Sequence, residues 1–231
     1  MSQQNEENVF NLENINVEET LGKAELFIRK NRNILIGVAV GLLAIIGGLY
    51  YYNSVYLPEM IMEGNDASMD ARTYLKQNDL DKALKGDGKN MGFLALADEY
   101  SGTPVGDRAN YYAATILMAQ GKFQDAIEHL EAYHPGDLIT ESLAMGLIGD
   151  CQVELNKKED ALAQYEKAAG NNPNNLTSPL FLFKAGMLAE ELNKSDKAIE
   201  LYKKIKADYR SSDQGMDIDK YIARAEAKTG K

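Results

Sequence analysis

The chain has 231 residues, 45% of them hydrophobic, and its 25 Lys+Arg against 35 Asp+Glu leave a formal charge of −10. A single cysteine, Cys151, excludes an intramolecular disulfide and a cysteine-rich zinc site. An acidic chain without Lys/Arg clusters also has no electrostatic basis for binding nucleic acid, and the length allows one domain or two.

Residues 1–16 are rich in Gln, Asn and Glu, hold little that could form a core, and are expected to be a disordered cytoplasmic leader. From residue 17 to 33 the pattern turns amphipathic. Leu21, Ala24 and Ile28 stand at helical spacing beside Phe27, and Glu25 and Arg29 are four apart and can pair. This juxtamembrane helix has two readings, a docking segment for a partner or a basic flank that sets topology. Ile34 to Tyr52 are nineteen consecutive residues without a charge, ending in Tyr50, Tyr51 and Tyr52. That length and composition predict a transmembrane signal-anchor helix, with the buried central helix of a helical domain as the alternative. A cleaved signal peptide is disfavoured by the long leader and by the absence of a small-x-small site after the run. Lys23, Arg29, Lys30 and Arg32 precede the run, while no Lys or Arg follows before Arg72. The expected orientation is therefore N-terminus in the cytoplasm and later residues outside. Gly37, Gly41, Ala44 and Gly48 form a small-residue strip, read either as a membrane-helix contact, with self-association as one outcome, or as ordinary glycine enrichment.

Residues 53–106 are expected to hold an atypical first hairpin, Met60 to Ala83 with its turn at Gln77-Asn-Asp, and a short helix from Phe93 to Tyr100. Ser101-Gly-Thr-Pro104 then breaks the chain. Between residues 107 and 210 three stretches superimpose, around Gly121, Asn156 and Asn193. Each reads helix, a residue tolerant of a left-handed backbone, helix. Ala126, Ala161 and Ala198 fall 35 and then 37 residues apart, where the second helix crosses the first closely. Leu130, Tyr165 and Tyr202 lie one turn on, and Ala114, Gly149 and Gly186 are the small partners on the first helices. Pro173 sits in the turn-rich link Asn-Asn-Pro-Asn-Asn, and residues 211–231 supply a capping helix.

These three stretches resemble the tetratricopeptide repeat family, although Asn110, Met145 and Leu182 stand where the family's usual aromatic would be. The resemblance implies an all-α solenoid of helical hairpins whose inner face, lined by the first helices, binds proteins. It places Arg108, Tyr111, Thr115 and Met118 inward in the first repeat. In the second it places Leu143, Gly146, Asp150 and Val153 there, and in the third Leu180, Phe183, Met187 and Glu190. The alternative for several of them is packing against neighbouring helices. The layout of basic leader, anchor and acidic repeats is similar to the membrane-anchored repeat proteins of the bacterial envelope, the ancillary subunit of the Sec translocon among them. That likeness implies an inner-membrane protein with periplasmic repeats that engages exported or partly folded polypeptides. The competing expectation is a scaffold for an envelope assembly or division complex, recognising one folded partner.

No residue pattern points to catalysis, a cofactor or a metal. His129 and His134 are five apart, off the spacing of four that puts two ligands on one helical face. Gly86-Asp-Gly-Lys-Asn lacks the spacing and the Ser/Thr of a phosphate loop. Cys151 is flanked by Asp150 and Glu154, the wrong sign to activate a thiol, and reads as a small buried hydrophobe.

Overall fold

A computed structural model describes residues 17–229 and divides the chain into two units, residues 1–57 and 58–231. The expected disorder of residues 1–16 lies outside the described residues. The first unit is built on α1 (Val17–Tyr51), a single 35-residue helix where the sequence predicts two adjoining segments. Glu25 and Arg29 do approach, 3.6 Å apart and exposed. Leu, Ile and Val side chains along α1 are exposed throughout, Ile34 at 67% and Leu43 at 68%. By length and composition this stretch is sufficient to cross a membrane. A single π-helical turn, Tyr52–Tyr56, follows, with the rings of Tyr52 and Tyr56 5.8 Å apart.

The second unit is helical, and its order is α2 (Leu57–Lys76), α3 (Leu80–Lys85), α4 (Phe93–Glu99), α5 (Pro104–Ala119) and α6 (Phe123–Glu131), then α7 (Leu138–Glu154), α8 (Lys158–Asn171), α9 (Thr177–Glu191), α10 (Ser195–Asp208), α11 (Asp213–Met216) and α12 (Ile218–Thr229). The helices pair in chain order: α5 with α6, α7 with α8, α9 with α10, and α12 against α10.

Four of the inter-helix turns share one geometry. Asn78, Gly121, Asn156 and Asn193 have φ of 59°, 73°, 58° and 59°, the left-handed region that ends a helix. In each, the next residue's N–H reaches back to a carbonyl in the last turn: Asp79 to Tyr74, Lys122 to Leu117, Lys157 to Gln152 and Lys194 to Ala189, at 2.8–2.9 Å. This is the Schellman closure, and it satisfies a carbonyl that the helix end would otherwise leave open. The atypical first hairpin, α2 and α3, thus turns by the same device as the three clear repeats.

The crossing positions are filled as their size predicts. Ala83, Ala126, Ala161 and Ala198 are all fully buried. On the first helices, a Cβ at Gly149 would stand 2.6 Å from the Tyr165 ring, and one at Gly186 would stand 2.3 Å from the Tyr202 ring. Each glycine is there because the aromatic of the partner helix lies flat on its backbone. Exposed polar links join successive turns, Lys157 to Gln124, Lys194 to Glu159 and Lys158 to Glu191. Surface pairs of this kind contribute little each. The array closes with α12, whose Ile218, Ile222 and Ala225 are buried.

Replacing Ala161 by Leu puts a larger side chain into the α7–α8 crossing. The expected cost is about 1–3 kcal/mol, read as a lowered midpoint in chemical unfolding with helical circular dichroism retained. Gly186→Ala should behave alike, because Tyr202 is fully buried and has no free volume into which to move.

Candidate interaction face on the first helices

The residues expected to line an inner face divide into those committed to internal contacts and those left open. Arg108 on α5 donates to Asn65 Oδ1 at 2.7 Å and so ties α5 to α2. Tyr111 packs its ring on Tyr133, with centroids 5.4 Å apart. Thr115 donates within its own helix to the Tyr112 carbonyl at 2.9 Å, and Met118 packs against the N-terminal half of the core.

In the second and third repeats an acid on the first helix meets the hydroxyl of the crossing tyrosine. Tyr165 donates to Asp150 Oδ1 at 2.5 Å, and Tyr202 donates to Glu190 Oε1 at 2.9 Å. Each acid also takes a cation from the next element along. Lys184 on α9 donates to both Asp150 oxygens at 2.7 and 2.8 Å. The same ammonium lies 5.5 Å from the Tyr165 ring centre, and that ring stacks on Phe181 at 6.4 Å and 8°. Phe181 in turn covers Gly146, where a Cβ would stand 1.9 Å from the ring.

Glu190 is the more deeply held of the two acids, at 6% exposure. Arg224 on α12 donates to it at 2.6 and 3.2 Å, and Lys228 does so at 2.9 Å. Burial alone raises a carboxyl pKa, but here hydrogen bonds from Arg224, Lys228 and Tyr202 outweigh it and hold Glu190 at about 2. Burial first, and the bond to Glu190 second, push the Tyr202 phenol upward. The ring of Phe183 is met edge-on by Tyr221 of α12 at 4.7 Å. Glu190 is therefore covered by the closing helix, while Phe183 is half-buried against it and lines a recess of about 190 Å³ with Asp213, Asp217 and Tyr221.

Among the expected inward residues, the exposed apolar ones lie on α7 and α9. Leu143 is 37% exposed and Met187 47%. Met187 lines a recess of about 380 Å³ with Val153, Tyr165, Lys184, Leu188 and Glu191. Lys184, Tyr165 and Glu191 were not among the sequence candidates. A signal for Lys184 does exist: it stands 34 residues after Asp150, one repeat period, as Arg224 does after Glu190.

The remaining polar groups are spent locally. Asp87, in the glycine-rich turn, accepts the N–H groups of Lys89 and Asn90 at 2.8 and 2.6 Å and the Tyr74 hydroxyl at 2.7 Å. Its carboxylate occupies the N–H groups that an incoming phosphate would need. His129 pairs with Asn110 at 2.8 Å across α5 and α6, and burial lowers its pKa. His134 uses its backbone N–H on Asp107 at 3.2 Å. Cys151 is fully buried, and burial pushes its thiol up to about 11. Among the described residues no group of three His, Cys, Asp or Glu could hold a metal ion. On α1, a side chain placed at Gly37, Gly41 or Gly48 would meet nothing within 4 Å.

Replacing Glu190 by Gln tests how α12 is held. The depressed pKa means that the ionised carboxylate stabilises the fold fully above its ordinary value of 4.5, and that this contribution is lost as pH falls from there toward 2. The wild-type protein should be the more stable at pH 7, and the difference should shrink across that interval. Unfolding midpoints of both proteins between pH 7 and pH 3 provide the check.

Three comparisons bear on this geometry. The Tetratricopeptide repeat family description matches residues 93–137 and 144–213. No curated protein matches the chain in sequence. Among solved structures, the crystal structure of MamA is similar at 20% identity and a TM-score of 0.47, covering 69% of this chain and 94% of that one. A second crystal structure of the MamA protein is similar at 20% identity and a TM-score of 0.50, covering 73% of this chain and 93% of that one. That second likeness corrects the expected localisation. The likeness extends over 93% of that chain and is a likeness of the repeat fold. The expectation of a single-pass bacterial inner-membrane protein, N-terminus cytoplasmic and repeats periplasmic, does not stand. Scaffold proteins of the tetratricopeptide repeat fold are non-catalytic, and the match supports a protein-interaction scaffold. The helices from α4 to α10 are an array of the tetratricopeptide repeat fold, preceded by one apolar N-terminal helix.

Proposed function

We propose that the chain is a scaffold that recognises one defined, folded partner protein through the open stretch of its first helices, α7 and α9. The observation that supports this reading is how little of the expected face remains free. Arg108 is exposed but tied to Asn65, Glu190 is buried against Arg224 and Lys228, and Phe183, Tyr111 and Met118 are half-buried against internal partners. The free part is a bounded recess with Met187 and Val153 on its walls and a Lys184–Asp150 ion pair beside it. A short recess of fixed outline suits a protruding side chain on a folded surface better than it suits long unstructured segments, which need an extended strip. On α1, the strip Gly37, Gly41, Ala44 and Gly48 permits close approach of another helix, its own copy included.

The test is photocrosslinking in native extracts from a benzophenone side chain placed at Leu143 or at Met187. The expected result is one discrete adduct of fixed mass at both positions, weakened about tenfold by Glu in place of Val153. A ladder of newly made chains would instead favour the client-binding reading, that of an assistant to exported polypeptides beside the Sec translocon.

A further inference from the structure

The second helix of the first clear repeat is short. α6 has 9 residues, where its counterparts α8 and α10 have 14 each. The cause is local: Pro135 disfavours helical backbone at His134, and the chain leaves the helix after Glu131. Seven residues beyond the crossing alanine, α8 and α10 place Ala168 and Ile205, both fully buried. The first repeat has Tyr133 at that register, outside any helix, with its ring turned onto Tyr111. The five missing residues amount to about 7.5 Å of helix at 1.5 Å per residue. Beside this truncated end lies a cleft of about 260 Å³ between α6, α7 and α8.

The floor of the cleft is apolar, with Leu130, Met145 and Ile148, and Glu131 and Glu141 stand on its rim. Neither carboxylate has an ion-pair partner among the described residues, and Lys167 is the one ammonium among the lining side chains. Leu138 and Ile139, in the adjoining first turn of α7, are 53% and 41% exposed. An apolar floor, an acidic excess at the rim and a missing helical turn together describe a receptor for a helix of opposite charge.

We propose that this cleft is a second protein-docking surface, separate from the α7–α9 recess, and that it takes a short amphipathic helix of a partner protein. That helix inserts a large apolar side chain between Leu130 and Met145 and sets Lys or Arg against Glu131 and Glu141. It occupies the space beside α7 and α8 that a full-length α6 would fill, so the fold of the array is already shaped for it. Two docking surfaces on one array make the chain a bridge between partners.

The probe is an Ala-rich, helix-forming peptide of about 15 residues with paired Leu and Phe anchors, flanking Lys residues and a benzophenone, added to the full chain in non-ionic detergent. Two control peptides replace the anchors by Ser or the Lys residues by Glu. Adducts mapped by mass spectrometry should fall on α6, α7 and α8 around the cleft, and both controls should label at least about tenfold less. Met145→Glu in the floor and the double variant Glu131→Lys with Glu141→Lys on the rim should each lower labelling to the same degree. The rim variant keeps the test valid should the floor variant fail to fold. Adducts scattered over other acidic surfaces, labelling indifferent to the anchors, labelling unchanged by the rim variant, or no labelling at all would overturn the proposal.

Discussion

The contact on which the rest of the array depends is an aromatic ring lying on a glycine. In the second and third repeats, Tyr165 and Tyr202 can reach across the hairpin only because Gly149 and Gly186 carry no side chain. The ring buries apolar area against the partner helix, while its hydroxyl, carried past the glycine, meets a carboxylate on that same helix, Asp150 or Glu190. A buried or half-buried acid needs more than one donor, and the next element along supplies it: Lys184 from α9, Arg224 and Lys228 from α12. A steric choice inside one hairpin thereby sets a polar link to the following one. Successive units are joined by a relay of glycine, tyrosine, acid and cation rather than by apolar packing alone.

The first repeat lacks this relay. Leu130 stands where the others have tyrosine, and a leucine has no hydroxyl to carry across. Thr115, at the register of Asp150, turns its hydroxyl to its own helix instead. The polar pin of this hairpin is His129 with Asn110, internal to α5 and α6 and without reach to α7. Without an acid to recruit a cation from α7, and with α6 stopped early by Pro135, the junction between first and second repeats is the place where a cleft forms. Where the relay runs, its acids and glycines are packed over: Phe181 closes over Gly146, and α12 closes over Glu190, while the recess beside Met187 stays open.

Function follows from what the relay leaves over. The acids and aromatics that look most suited to binding a partner are the ones the fold uses to hold itself together. Beside the two recesses the exposed apolar side chains are Leu143 and Met187 on one face and Leu138 and Ile139 at the start of α7. Surfaces of this kind give selective contacts of limited extent, in keeping with a scaffold and not with a broad adhesive face.

The hairpin order, the left-handed turn residues, the crossing alanines and the small first-helix partners were legible in the sequence, because each is a local steric demand that repeats every 35 to 37 residues. Asn156 must turn left-handed and Ala161 must be small whatever lies in the next repeat. The uncharged run of α1 was legible for the same reason, since its composition is a property of the segment itself. Which of the inward residues stay free was decided only by tertiary structure. Glu190 and Phe183 carry the inward spacing of a binding face, and it takes Arg224, Lys228 and Tyr221, more than thirty residues later, to cover the first and half-bury the second. Likewise Pro135 announces the end of a helix in the sequence, but a cleft arises only because α7 and α8 stand beside the turn that is missing. Local backbone and size requirements are written residue by residue. Exposure is a property of neighbours, and the chain acquires its neighbours only when it folds.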